Sequence, residues 1–273
     1  MTTVFFLATL VGVGLALGAI MAGAWVVWRR SGNAGWVDTI WTFGLGTVGL
    51  FGALLPMLAD GERLWRQYLV AGLIAIWALR LGVHIARRTR AITDDPRYAK
   101  LLQGWGGEAA RRMFWLLQKQ ALVSIPLGLA ILLAAWNPDP AFRFQDMLAV
   151  LVLIVAVAGE AVADAQLRGF RADPSNAGRI CEAGLWRWSR HPNYFFEWFG
   201  WLAYPLLAVD FSGAYPWGWV ALAGPACMYW LLVHVSGIPP LEEHMLETRG
   251  QAFRAYQART NAFVPLPPRE RTT

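Results

Sequence analysis

Apolar residues in this chain fall into long, nearly unbroken runs separated by short polar segments, with no strand-like alternation. The runs cover 4–28, 36–58, 68 to about 85, about 113–136, 147 to about 170, 194–209 and 217–235. Most are close to the roughly 20 residues that a helix needs to cross about 30 Å of hydrocarbon. The pattern predicts an all-α integral membrane protein with about seven transmembrane helices. The first run has no basic leader and no small-residue cleavage site, which marks it as a span rather than a signal peptide. From Pro239 the pattern changes. Leu241, Met245, Phe253, Tyr256, Phe263 and Val264 are interspersed with Glu242, Glu243, His244, Glu247, Arg249, Arg254 and Arg259. This predicts a cytoplasmic amphipathic C-terminal tail, which either closes a site from below or rests on the membrane surface as an anchor. No repeat divides the chain, so residues 1–273 form one membrane domain.

Composition agrees with the runs: 56% of residues are hydrophobic, 15% are charged, and 16 are Trp. The net charge of +6 raises the question of nucleic acid, but no basic helix or RNA-binding signature accompanies it. Its distribution answers the question better. Apart from Arg63, Arg66, Arg143 and the intraspan Arg80, the basic residues lie on or toward the side holding the loops after spans one, three and five and the tail. By the positive-inside rule the N-terminus is then outside and the tail cytoplasmic. Cys181 and Cys227 have no metal-ligand spacing and are too few for a disulfide framework, and no metal site is expected. Gly44-x-Gly46-x-x-Gly49 spells a dinucleotide fingerprint, yet it lies inside an apolar run with no strand before it. Close helix packing accounts for it better, as it does for Gly12, Gly14 and Gly18.

The chemistry concentrates between Arg179 and Trp201. Pro192 stands where a helix tolerates proline best, at its first turn, and Arg187, Arg190 and His191 crowd the same point, where unpaired N–H groups favour an anion. Asn193, Glu197 and Trp201 follow at four-residue spacing, on one face. In the fifth run Glu160, Asp164, Arg168 and Arg171, with Leu167 between, align from acidic to basic. In the third, Trp77, Arg80 and His84 share a face that continues to Arg87 and Arg88. Polar groups at membrane depth are costly and usually functional. Together these rows describe a deep pocket open to the cytosol, shaped for an elongated molecule with phosphates at one end, which a dinucleotide fits. The competing readings are ordinary basic anchors before a span and mutually satisfied ion pairs. Asp38, flanked by Trp36 and Trp41 at the start of the second run, is either an acid of raised pKa able to donate a proton or a carboxylate interacting with its helix dipole.

At these residues the chain resembles the steroid 5-alpha-reductase family, in particular its bacterial membrane members. The motifs are Gly184-Leu185-Trp186-Arg187-Trp188-Ser189-Arg190-His191-Pro192-Asn193-Tyr194 with Glu197, Asp164-x-x-Leu167-Arg168-x-x-Arg171, Arg179-Ile180, and Tyr256-Gln257-x-Arg259-Thr260-x-x-Phe263-x-Pro265. The likeness is dense from about residue 155 to 266 and thin before it. It implies a seven-helix, monomeric reductase of the bacterial inner membrane that binds NADPH from the cytosolic side. Residues 1–136 would be the substrate-side helices and about 144–266 the cofactor-binding half. Hydride would pass to the beta carbon of a 3-oxo-delta-4 steroid or a related lipophilic enone entering from the bilayer, while an acid polarises the carbonyl.

By that resemblance Asp164, Arg168, Arg171, Arg179, Asn193, Glu197 and Trp201 line the cofactor, with Arg80 and His84 added from the third span. Leu167, Arg190, His191, Tyr194 and Tyr256 complete the set. Arg168, Arg171, Arg179 and Arg190 suit phosphates, and the arginine excess favours the 2′-phosphate of NADPH. The family's glutamine-glutamate pair of the second span is missing; Asp38 stands in for the acid, and Trp77 lies where the family has a tyrosine. Arg190-His191-Pro192 is also similar to the motif of isoprenylcysteine carboxyl methyltransferases and phospholipid N-methyltransferases. S-adenosylmethionine-dependent methyl transfer is therefore the rival activity, and a non-enzymatic lipid-binding or transport protein is a third reading.

Overall fold

The apolar runs fold as helices that end where glycine, proline or a polar cluster interrupts them. In the computed structural model, which describes residues 3–59, 65–91 and 95–269, the chain runs through α1 (Thr3–Ser31), α2 (Trp36–Ala59), α3 (Trp65–Ala91), α4 (Pro96–Trp105), α5 (Ala109–Val123), α6 (Ile125–Ala135), α7 (Phe144–Ala172), α8 (Pro192–Trp201), α9 (Ala203–Ala208), α10 (Ala223–Trp230) and α11 (Ile238–Arg259). No strand occurs among the described residues; Ser189 and Asn261 make an isolated parallel bridge. Arg63 lies outside the described residues.

Six helical stretches among the described residues are long and apolar enough to cross a membrane: Thr3–Ser31, Trp36–Met57, Trp65–Ala91, Arg97–Ala135, Phe144–Ala172 and Pro216–Arg259. Two details differ from the seven-span expectation. The run 194–209 is divided into α8 and α9 by a turn at Leu202, just before Pro205, because proline cannot donate into the preceding turn. Downstream, a π-helical turn at Leu231–Val235 leads into α11, which is itself interrupted at Gly250 (φ 50°, ψ −120°). One segment expected to be only a connection is helical: Asp95 caps α4 by accepting from Arg97 N at 3.0 Å, and Pro96 occupies the first turn, the arrangement that opens a helix.

The chain forms two compact units, residues 1–149 with 204–227, and residues 150–203 with 228–273. In the first, the glycines of the second run are explained by contact. A Cβ on Gly46 would lie 2.3 Å from Ala78 Cβ, one on Gly44 2.7 Å from Ile20, and one on Gly49 2.9 Å from Ile131. The backbone of α2 thus approaches its neighbours as closely as only glycine permits. Gly12, by contrast, faces open space. The apolar face of α1 (Val4, Val11, Leu15) is exposed, as expected of a surface covered by lipid rather than protein. One end of this unit holds a buried ion pair, Arg66 Nη2 to Asp146 Oδ2 at 2.7 Å, with both side chains fully enclosed. Arg143 also binds Asp146 and donates to the carbonyls of Leu207 and Val209, so the charge is shared among satisfied partners.

The second unit has an aromatic centre. Phe263 sits against Phe195, Trp198 and Tyr229 with ring centroids 5.8, 5.6 and 5.4 Å apart. Close approach of α8 to α7 depends on Gly159, where a Cβ would meet the Phe196 ring at 2.4 Å.

Candidate functional site

The second unit holds the α7 and α8 stripes. On α7, Glu160 and Asp164 are buried while Arg168 and Arg171 are exposed toward its C-terminal end. The gradation from enclosed acid to accessible base follows from the four-residue spacing once the helix forms. Past Ala172 the chain turns at Asp173, whose side chain accepts from Ser175 N at 2.9 Å. It turns again at Gly178 (φ 79°), leaving Arg179 exposed.

The connecting segment folds back onto α7. Leu185 N donates to Gln166 Oε1 at 2.9 Å and Trp186 Nε1 to Ala163 O at 2.9 Å. Gly184, at φ 58°, packs its backbone against the Gln166 amide, which a Cβ would strike at 2.3 Å. This return delivers Pro192 to the start of α8 and sets Asn193 facing α7. Asn193 Nδ2 donates to Asp164 Oδ1 at 3.4 Å, and Asn193 Oδ1 accepts from Tyr194 N at 3.1 Å. One turn deeper, Trp201 Nε1 donates to Glu197 Oε1 at 3.0 Å, with both residues buried. Leu167 is half-buried beside them in sequence. The arrangement offers a carboxylate and an amide at depth and guanidinium forks at the mouth. Arg168, Arg179 and Arg187 form no salt bridge among the described residues and are exposed.

Arg190, His191 and Tyr256 stand in a different network. Arg190 donates through Nε to Glu242 Oε1 at 2.7 Å, through Nη2 to Glu242 Oε2 at 3.2 Å, and through Nη1 to the carbonyls of Thr260 and Gln257. Four of its five N–H groups are thereby engaged. His191 Nε2 lies 2.9 Å from Glu242 Oε1; facing a carboxylate, that nitrogen carries the proton. Burial pushes this imidazole below its ordinary pKa, and the Glu242 contact offsets part of the shift. Gln257 Nε2 adds a bond to Glu242 Oε2 at 2.7 Å, and Tyr256 OH donates to the Trp186 carbonyl. Extended residues after α11 then pair with the same segment, Arg190 N to Asn261 O at 2.8 Å and Leu266 N to Trp188 O at 3.0 Å. The tail is stapled over the segment that opens α8. Tyr194 stacks on His191 with centroids 5.5 Å apart. Sequence reasoning placed Glu242 in an amphipathic tail without finding this role; its signal was an acidic residue two positions after the Pro239-Pro240 helix start.

The remaining expected residues lie in the first unit. Trp77 is buried, packing edge-on against Trp41 at 6.2 Å, and Trp41 Nε1 donates to Ser124 Oγ at 2.8 Å. Arg80 and His84 are half-buried on the same α3 face. Both Asp38 oxygens accept hydrogen bonds, Oδ2 from Arg97 Nη2 at 2.5 Å and Oδ1 from the Tyr98 hydroxyl at 3.0 Å. Gln120 Nε2 donates to that hydroxyl at 3.3 Å. Tyr98 was not found from sequence, because its segment read as a connection; the Asp95-Pro96 helix start was the available signal. Among the described residues no group of His, Cys, Asp and Glu is placed to hold a metal ion.

Across residues 24–260 the chain matches the model of a family described as a protein of unknown function, DUF1295. No curated protein and no solved structure matches it.

Proposed function

The chain belongs to the DUF1295 family, and from that premise and the α7–α8 geometry we propose that it is an NADPH-dependent membrane reductase of the steroid 5-alpha-reductase type. Its substrates are 3-oxo-delta-4 steroids or related lipophilic enones. The observation that carries the reading is the Asp164–Asn193 contact, a buried carboxylate and amide placed on the same helix faces as an exposed guanidinium row. That donor set fits a dinucleotide: Arg168, Arg171 and Arg179 suit its phosphates, and Asn193, Glu197 and Trp201 offer polar atoms at depth. NADPH, when bound, supplies the hydride. Arg190, His191 and Tyr256 serve by holding the tail against the segment that presents Asn193.

At the enone carbonyl the role of acid falls to the pair of Asp38 and Tyr98. Their hydrogen bond orients the phenol hydroxyl, and Gln120 fixes it from the other side. A donor held in this way stabilises developing enolate charge without reorganising during the reaction. The reading includes seven spans, a cytoplasmic tail and cofactor side, and a location in the inner membrane.

The test is a single turnover of purified protein with progesterone or testosterone and NADPH, following nicotinamide absorbance and product mass. A product heavier by two hydrogens is expected. Absence of reaction together with saturable binding of S-adenosylmethionine, but not of NADPH, would transfer the assignment to methyl transfer.

A further inference from the structure

A separate feature of the first unit has no part in this chemistry. Where α4 gives way to α5, an open groove of 360 Å³ is lined by Trp105, Arg111, Arg112, Trp115, Leu116 and Lys119. The inner side of α5 is fixed: Met113, Leu117 and Ala121 are buried, and Trp25 Nε1 donates to Ala110 O at 2.8 Å. The outer side is graded. Arg111, Trp115 and Leu122 succeed one another along one face at helical spacing, all strongly exposed, Leu122 at 65%. The whole stretch Arg97–Ala135 is apolar and long enough to span a bilayer, so this face passes from charge through an indole to bare aliphatic surface, as a bilayer passes from headgroup to acyl chain.

The cations are also arranged. The two oxygens of Glu108 each take one arginine, Arg111 Nη2 at 2.6 Å and Arg112 Nε at 2.7 Å. One carboxylate thus sets two guanidinium groups side by side, leaves both terminal nitrogens of Arg112 out of its bonds, and is outnumbered by them and Lys119. We propose that this groove is a binding site for the phosphate headgroup of an anionic phospholipid, its glycerol and acyl region lying along Trp115 and Leu122. Two guanidinium groups and an ammonium match a phosphodiester in charge, and the indoles sit at the level where aromatic rings favour the interface. The site is independent of the reductase reading.

Native mass spectrometry of the purified full chain, titrated with phosphatidylglycerol and phosphatidylcholine, tests it. The wild type should retain phosphatidylglycerol in preference. The triple variant Arg111→Gln, Arg112→Gln, Lys119→Gln should bind it about fivefold more weakly per cation removed with an unchanged melting temperature, since all three side chains are on the surface. Arg249→Gln with Arg254→Gln, exposed in α11, should leave retention intact. Equal retention by the triple variant, equal loss in the α11 control, or complete displacement of the lipid by millimolar inorganic phosphate would each overturn the proposal.

Discussion

Arg190 and Glu242, 52 positions apart in sequence, meet through two hydrogen bonds, with side chains only 11% and 14% exposed. Glu242 is the point at which the segment before α8 and the tail helix are joined, since His191 and Gln257 converge on the same carboxylate. Replacing it removes an acceptor from three donors at once and leaves the enclosed guanidinium without its counter-charge. Glu242→Ala should therefore cost about 3 kcal/mol. It should also make the residues after Arg259 sensitive to limited proteolysis while far-UV helicity is kept. A tail as protected as the wild type's would show that the staple does not hold it.

His191 gives this joint a pH dependence. Burial keeps its imidazole below the ordinary value of 6.5, so the folded protein resists a proton that the unfolded chain accepts. The stabilisation is complete above pH 6.5 and declines as pH falls through the folded-state value. Melting temperature should be level from pH 8 to 6.5 and drop below it. His191→Gln, which still donates to Glu242 but does not titrate, should remove the part of that slope due to this residue; identical profiles would exclude His191 as its source.

The glycines of the second run separate packing from propensity. Gly46→Val places a Cβ where Ala78 already stands, so α2 and α3 must move apart, at a cost of about 1–3 kcal/mol. Gly12→Ala in α1 meets nothing within 4 Å and should be neutral or slightly stabilising, alanine being the better helix former by about 1 kcal/mol. Thermal melts of the two variants in one detergent would compare them directly; equal losses would contradict the contact.

How far the sequence reaches is clear from such cases. The long helices were legible because uninterrupted apolar runs of bilayer length have few other stable forms, and the α7 and α8 stripes because four-residue spacing fixes a face before any packing is known. The bonding of Arg190 was not legible. An arginine beside a helix start looks the same whether its partner is a phosphate or a carboxylate, and here the carboxylate comes from an element 52 positions downstream. Tyr98 was hidden for a related reason: its hydroxyl acquires meaning only from Asp38, 60 positions away. The division at Leu202 was missed because the run on either side of it remains apolar, and hydropathy registers Pro205 poorly.

Asp164 and Asn193 carry the functional reading, and they can be separated from the frame that holds them. Their contact is long, 3.4 Å, and Asn193 also receives Tyr194 N, so little of the fold depends on the bond between them. Asp164→Asn preserves volume and removes the charge; Asn193→Ala removes the amide. If they hold the cofactor, each variant should melt near the wild type yet lose about a hundredfold or more in turnover of the enone, as expected when a positioning group is removed. NADPH binding, measured directly by fluorescence, should weaken in parallel, whereas Arg168→Gln should weaken binding more than it slows turnover at saturating cofactor. Wild-type turnover in Asp164→Asn and Asn193→Ala, in protein shown to reduce an enone, would move the cofactor elsewhere in the molecule while leaving the reaction itself established.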